Sequence, residues 1–150
     1  MKRALITLLG AGALVGGVAV VADPKPDDAV EYRQGIMMAL GWNVGPMGAM
    51  VKGDIPFDAG QFAFHAGRVA VLAPMALEGF PKSSAAAESH ALPALWENYA
   101  DFEERMKKLE TSSAKLAEVA RGGDEGAMKS QFGDTVKVCK GCHDEYQEEH

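Results

Sequence analysis

The sequence predicts an all-α protein folded as an antiparallel four-helix bundle. Apolar residues recur at steps of three and four along four segments, and no segment shows the strict alternation of a strand. The connecting segments are short enough to make successive helices neighbours. The only two cysteines of the chain lie in the last of these segments, within Cys139-Lys140-Gly141-Cys142-His143. The functional hypotheses below are based on the predicted bundle and on this motif.

The first two helices are predicted on either side of Gly53. The first begins near Asp27, is expected to kink or loosen at Pro46, and carries the inward stripe Val30, Met37, Leu40, Val44, Met47 and Val51. Asp58 is predicted to cap the second helix, which should weaken at Pro74. Its inward residues are Phe62, Val69 and Leu72.

The other two helices follow a polar stretch, residues 79–93, that we expect to be a surface loop. The third helix is predicted as one continuous segment from Leu95 to Ala120, ended by the glycines at 122–123. Asp124 is predicted to cap the fourth helix. The inward stripe of this last helix is Met128, Phe132, Val136, Cys139, His143 and Tyr146. The cysteine motif is therefore expected on the core-facing side of a helix.

C-x-x-C-H is the attachment signature of c-type haem. The two thiols add across the vinyl groups of the porphyrin, and the imidazole of His143 becomes an axial ligand of iron. A structural disulfide, half a zinc site and a thioredoxin-like pair are the alternatives. Zinc needs four ligands, and there is no second C-x-x-C; a thioredoxin-like motif should follow a strand. The motif therefore favours one covalent haem c held by Cys139 and Cys142.

Residues 1–22 have the pattern of a secretory signal: Lys2 and Arg3, then an apolar stretch ending at Ala22. An uncleaved membrane anchor is the alternative, but the small residues and the abrupt polar segment afterwards favour cleavage. One domain, residues 23–150, would remain. Loss of the two basic residues takes the formal net charge from −6 to −8, which disfavours nucleic-acid binding and suits cationic redox partners.

Arg33 and Met37 are the candidate cofactor contacts on the first helix, which should lie beside the last in an up-down bundle. Arg33 interrupts the apolar stripe, and a buried arginine is costly unless it is paired. A haem propionate would pair it, with Gln34 adding a hydrogen bond; alternatively the side chain extends to the bundle edge. Met37 lies one turn further, as a thioether ligand of iron or as an apolar wall of the distal pocket.

Other residues are weaker candidates. His65 lies near the inward face of the second helix and is an alternative ligand, whereas His90 is expected to face solvent from the loop. Met38 should point away from the cofactor. Trp42 and Trp96 are predicted to be packing residues or neighbours of the haem.

Several segments resemble the class II cytochromes c, the cytochrome c prime family. They are Pro-x-Asp-Ala-Val-Glu-Tyr-Arg-Gln at 26–34, Val-Lys-Gly at 51–53, Phe-Asp-Ala at 57–59, Phe-Gly at 132–133, and Cys-Lys-Gly-Cys-His-Asp-Glu-Tyr at 139–146. The resemblance implies a four-helix bundle in a bacterial periplasm, often a homodimer, with Cys139 and Cys142 holding the haem and His143 as proximal ligand.

The resemblance also implies that Arg33 and Gln34 approach a propionate and that Met37 takes the distal position, where it blocks or binds iron. One departure is Gln147, because many five-coordinate members carry a basic residue four after the haem histidine. This difference favours electron transfer over proximal gas binding.

Two functional hypotheses follow. The first is one-electron transfer to a redox partner protein; the alternative is a five-coordinate protein that binds nitric oxide or carbon monoxide and sequesters nitric oxide. An enzyme such as a peroxidase would need acid–base groups near Met37, where the sequence offers none. The sequence therefore predicts a carrier or binder and no enzymatic activity.

Overall fold

The computed structural model describes residues 23–148, and the export signal predicted at 1–22 lies outside the described residues. Its helices are α1 (Pro26–Lys52), α2 (Ala59–Leu72), α3 (Pro93–Glu97), α4 (Tyr99–Arg121) and α5 (Glu125–Tyr146), with 3-10 turns at Ala73–Gly79 and Lys82–Ser84. No strand forms within 23–148, and the four long helices make the predicted bundle. None of the helices in this range is long and apolar enough to cross a membrane.

Three helix ends form where the sequence predicts them. Gly53 adopts φ +81°, and its N–H bonds the Ala49 and Met50 carbonyls, which closes α1. Asp58 accepts a hydrogen bond of 2.9 Å from the Gln61 N–H at the start of α2. Asp124 does the same for the Ala127 N–H, at 2.6 Å, at the start of α5. These caps satisfy backbone groups that each helix end leaves without an intrahelical partner.

The predicted third helix is two helices, because the chain leaves helical geometry at Asn98. This residue has φ −115° and ψ 38°, and both its backbone N–H and its side-chain amide donate to the Ala94 carbonyl, each at 3.0 Å. Leu95 on the short α3 is still 1 % exposed. The inward stripe therefore continues across the break. At Pro46, by contrast, α1 runs on without interruption to Lys52.

The bundle is solid at one end and hollow at the other. Helix α1 packs on α2, α2 on α4 and α4 on α5. At the solid end, Phe62 meets Phe132 edge-on with ring centroids 5.9 Å apart, and Met47 and Met128 are fully buried. At the other end a cavity separates α1 from α5. All the residues predicted for the cofactor are found at this hollow end.

The segment at 79–93 is not a plain surface loop, which corrects the prediction. Phe80 and Ser84 are buried in it, and the Tyr99 hydroxyl donates to the Phe80 carbonyl at 2.8 Å. Its far end is tied to the C-terminus by an antiparallel bridge between Ala91 and Gln147. The segment therefore forms one wall of the hollow end.

Candidate functional site

A cavity of about 400 Å³ lies between α1, α4, α5 and the segment after Phe80. Its lining is mainly apolar and includes Leu40, Val44, Leu95, Phe102, Met106, Leu109 and Val138. All six site residues predicted from the sequence border it: Arg33, Gln34, Met37, Cys139, Cys142 and His143. The structure thus brings together residues that are more than 100 positions apart in the chain.

Helix α5 contributes both thiols and the imidazole to one wall. Cys139 and Cys142 are free and half-buried, and His143 is the most exposed of the three. Burial raises the pKa of Cys139, and it raises that of Cys142 to about 11 against the opposing effect of Arg105. Burial lowers the pKa of His143, and Asp144 opposes this. A neutral imidazole is the form that binds a metal ion.

Arg33 on α1 is buried, with only 4 % of its surface exposed, so the alternative in which it extends to the bundle edge is wrong. Its Nη1 donates to the Gly79 carbonyl at 3.2 Å and to Ser84 Oγ at 2.9 Å. Its Nη2 donates to Ser89 Oγ at 2.8 Å. The guanidinium also lies 5.0 Å from the ring centroid of Phe80.

These partners of Arg33 are all neutral, and no carboxylate within residues 23–148 lies within 4.0 Å of its guanidinium. Burial lowers the pKa of Arg33, the direction expected for a desolvated cation without a counter-ion. An unneutralised cation at the edge of an apolar cavity is a suitable partner for a carboxylate of a bound group. This observation fits a haem propionate.

Gly79 packs directly against the backbone of Arg33. A Cβ at Gly79 would lie 2.5 Å from Arg33 Cβ and 2.9 Å from its Cα. We expect Gly79→Ala to destabilise the fold by roughly 1–3 kcal/mol, because α1 and the segment after Gly79 would have to separate. Denaturant unfolding of the variant measures this. The matched control is Gly133→Ala, where no atom lies within 4 Å of the added methyl; equal stabilities of the two variants would contradict the expectation.

Gln34 and Met37 complete the α1 side of the cavity. Gln34 is exposed at the rim, and Met37 is half-buried. The neighbouring Met38 is 75 % exposed and lies in a groove between α1 and α2, away from the cavity as predicted. Met37 is therefore the methionine of this pair that can meet a group held by α5.

The remaining histidines and tryptophans differ from expectation in part. His65 does not border the cavity; its Nδ1 lies 3.0 Å from Asn43 Oδ1. His90 is exposed as predicted, yet it borders the cavity rim. Trp96 is half-buried, 5.9 Å from the Arg33 guanidinium. Trp42 is neither a packing residue nor next to the cavity, because it is 76 % exposed on the α1–α2 face.

Arg105 on α4 also borders the cavity, and sequence reasoning missed it. It directly precedes the buried Met106 in a segment rich in charged residues. Nothing in that pattern distinguishes it from its solvent-facing neighbours. Its contact with the Gly141 carbonyl, at 2.7 Å, is visible only once α4 and α5 are packed together.

The donor set fits haem better than a bare metal ion. Two free thiols and an imidazole share one wall of an apolar cavity, and a cation without a counter-ion lies at its edge. Within residues 23–148, no three His, Cys, Asp or Glu side chains are grouped so that they could hold a metal ion by themselves. The zinc alternative therefore has no support in the described part of the chain.

Comparisons with known proteins agree with this geometry. Residues 28–147 match a family model described as Cytochrome C'. Cytochrome c' of Halomonas halodenitrificans is 38 % identical over 131 residues, covering 83 % of this chain and 99 % of that protein. Cytochrome c prime from Shewanella frigidimarina superposes with a TM-score of 0.80 at 41 % identity, covering 83 % of this chain and 98 % of that one.

A third similar structure is the nitric oxide complex of a variant of cytochrome c prime from Alcaligenes xylosoxidans. It has a TM-score of 0.77 at 30 % identity and covers 84 % of this chain and 98 % of that one. The family match spans most of the described residues, and the bundle and the cavity agree with it. The chain belongs to the cytochrome c' family and is a c-type haem protein.

Proposed function

We propose that the protein carries single electrons between partner proteins by means of one covalent haem. The observation that supports this most directly is that the Cys139–His143 motif and Met37 border one apolar cavity from two different helices. When bound, the haem supplies one-electron cycling between Fe(III) and Fe(II). The chain's own residues attach it, orient it and limit what else reaches it.

Each site residue has a proposed role. Cys139 and Cys142 form the two thioether bonds, and His143 provides the proximal nitrogen ligand from the same face of α5. Arg33 pairs with a propionate, held in place by the hydroxyls of Ser84 and Ser89. Gln34, outside Arg33 on the rim, adds a hydrogen bond to the same carboxylate.

Met37 is proposed as the second axial ligand. Met37 is half-buried and borders the cavity, whose lining also includes the apolar side chains of Leu40, Val44 and Met106. A thioether ligand raises the reduction potential, which suits a carrier of electrons.

Gas binding is the second candidate function. It is favoured by the similar protein from Alcaligenes xylosoxidans, a variant of which has a solved structure as a nitric oxide complex. In this alternative Met37 does not bind iron and only restricts access, so that a small diatomic molecule enters and larger ligands do not. Nitric oxide or carbon monoxide would then bind on the α1 side of the cavity.

Absorption spectra of the oxidised and reduced protein, with and without carbon monoxide, distinguish the two functions. Electron transfer with Met37 as ligand predicts sharp low-spin bands in the reduced protein and slow or weak uptake of carbon monoxide. A high-spin reduced spectrum with rapid uptake would favour gas binding and contradict Met37 ligation. Failure of both spectra to show any haem would overturn both proposals.

The proposed location is the periplasm, after removal of residues 1–22. This location matches the predicted signal segment and the need to attach haem outside the cytoplasm. With a formal net charge of −8 after removal of Lys2 and Arg3, compared with −6 for the full chain, the protein would attract a redox partner that presents a cationic surface.

A homodimer is proposed, formed through the outer face of α1 and α2. Four large apolar side chains on this face are strongly exposed: Met38 75 %, Trp42 76 %, Phe64 51 % and Val71 63 %. They border one continuous groove. A contiguous apolar patch of this kind marks an interaction site. In a dimer with a two-fold axis, the apolar patch of one protomer would pack against the same patch of its partner.

Trp42→Glu is expected to weaken this dimer by at least about 2 kcal/mol, or about thirtyfold, because it replaces a large exposed aromatic with a charge in an apolar contact. Sedimentation equilibrium over a range of concentrations measures the effect. Ile55→Glu is the matched control, since Ile55 is 43 % exposed but lies between α1 and α2 in sequence, outside the groove. A wild-type chain that is monomeric throughout would contradict the proposal.

A further inference from the structure

The side chains of Asp101, Arg105 and Tyr146 form a cluster that joins α4 to the part of α5 that carries the cysteine motif. Arg105 Nε donates to Asp101 Oδ2 at 2.6 Å, and Arg105 Nη1 donates to the Gly141 carbonyl at 2.7 Å. The Tyr146 hydroxyl donates to the same Asp101 oxygen at 2.5 Å. Arg105 also lies over the Tyr146 ring, with its guanidinium carbon 5.4 Å from the centroid.

This cluster holds the backbone of α5 at the cysteine motif. Gly141 lies between the two motif cysteines, so a hydrogen bond to its carbonyl from α4 restrains the position of both sulfur atoms relative to the cavity. Tyr146 is 4 % exposed and lies on the same face of α5, one turn after Cys142. The helix α5 is therefore held to α4 on both sides of His143. Before it, the Gly141 carbonyl bonds Arg105; after it, the Tyr146 hydroxyl bonds Asp101.

The positive member of the cluster lies nearer the cavity than the negative member does. Arg105 borders the cavity and Asp101 does not. The hydrogen bonds from Tyr146 and Arg105 hold the pKa of Asp101 below its usual range, so this carboxylate is ionised near neutral pH. Arg105 Nη1 donates to the Gly141 carbonyl, between the two motif cysteines, so its positive charge lies beside the motif.

We propose that Arg105 raises the reduction potential of the haem by holding a positive charge at the α4 wall of the cavity. This inference rests on the proposed function, because it requires haem attached to Cys139 and Cys142. A fixed positive charge stabilises Fe(II), which carries one positive charge less than Fe(III). Asp101 orients the guanidinium of Arg105, and its negative charge partly offsets the positive charge of Arg105.

The test measures reduction potentials by spectroelectrochemistry of purified haem-loaded variants. Arg105→Gln is expected to lower the equilibrium constant for reduction on the order of threefold to tenfold, as expected for one charge near the iron in a partly screened site. A tenfold change is about 59 mV for a one-electron couple. Asp101→Asn should shift the potential in the opposite direction, because it leaves the guanidinium without its counter-charge.

Two controls separate charge from packing. Arg105→Lys keeps the charge but cannot donate to Asp101 and Gly141 in the same forked geometry, so its potential should stay close to that of the unaltered protein. Lys115→Gln removes a charge from the same helix at a solvent-exposed ion pair with Glu118, and should leave the potential unchanged.

The inference is overturned if Arg105→Gln shifts the potential no more than Lys115→Gln does, or if Arg105→Lys shifts it as much as Arg105→Gln. Should Arg105→Gln fail to fold, Asp101→Asn and Arg105→Lys still decide, since an unraised potential in Asp101→Asn also contradicts the proposed charge effect. Haem staining of denaturing gels is run in parallel. Absence of covalent haem from the unaltered chain would overturn the proposed function itself, and this inference with it.

Discussion

Replacing Cys139 and Cys142 together with alanine is expected to leave the purified chain without covalently bound haem. Both sulfur atoms border the cavity from one face of α5, and they are the only thiols in the chain. Without them, only non-covalent interactions would retain the cofactor: axial coordination, burial of the ring and the ion pair proposed for Arg33. Haem staining after denaturing electrophoresis, or the intact mass of the chain, measures the loss directly.

Val136→Ala is a suitable control for the cysteine variants. Val136 is half-buried on the same helix but does not border the cavity, so its replacement should leave the haem attached. Each single cysteine variant should keep one thioether bond. Retention of covalent haem by the double variant would show that the attachment site is elsewhere, and would contradict the role proposed for the motif.

Met37→Ala is expected to convert the iron from low spin to high spin in both oxidation states. The substitution removes the only thioether that α1 presents to the cavity, and alanine cannot reach or coordinate the metal. The reduction potential should fall with the loss of the thioether. Carbon monoxide uptake by the reduced protein should become faster, since the sixth position is then open. Absorption and resonance Raman spectra measure the spin state.

The neighbouring Met38 provides the matched control for Met37. Met38→Ala removes the same side chain from the next position of the same helix, where it faces the α1–α2 groove. Its spectra should equal those of the unaltered protein. An unaltered protein that is already high spin, or a Met37→Ala variant that stays low spin, would contradict Met37 ligation; the former would instead favour gas binding.

The bundle was predictable because the signals that determine it are local. Periodicity located the inward faces of the long helices, and the caps at Asp58 and Asp124 and the left-handed Gly53 formed as expected. The break at Asn98 was missed, because Leu95 and Phe102 keep helical spacing on both sides of it. Periodicity reports which residues face inward, and it does not report whether the backbone between them is continuous.

The candidate site was predictable only where the spacing of residues within a single helix identifies them. The motif on α5 and the arginine in the apolar stripe of α1 could be recognised from spacing. The neutral partners of Arg33 could not, because Ser84 and Ser89 come from a polar segment that gives no sign of being buried. Arg105 was missed for a similar reason, since its contacts depend on how α4 is rotated against α5.

Trp42 is exposed although its position in a helix predicted packing against the core or the haem. An indole ring in an amphipathic helix is ordinarily assigned to the core, yet this one is 76 % exposed. Its neighbours on the same face, Met38 and Phe64, are also exposed and apolar. Sequence periodicity cannot distinguish an apolar face covered by the same chain from one that is covered by a second copy.

The uneven packing of the bundle has a consequence for its local stability. At the solid end, the side chains of Met47, Phe62 and Met128 are completely buried, and Phe132 lies close to Gly48 of α1, with 3.7 Å between a Cβ built there and the ring. At the hollow end, apolar walls surround a space that the chain does not fill. A bound group that fills this space would gain contacts with apolar walls on both α1 and α5. Attachment of haem to α5 would therefore also hold α1 against α5 and stabilise the folded chain.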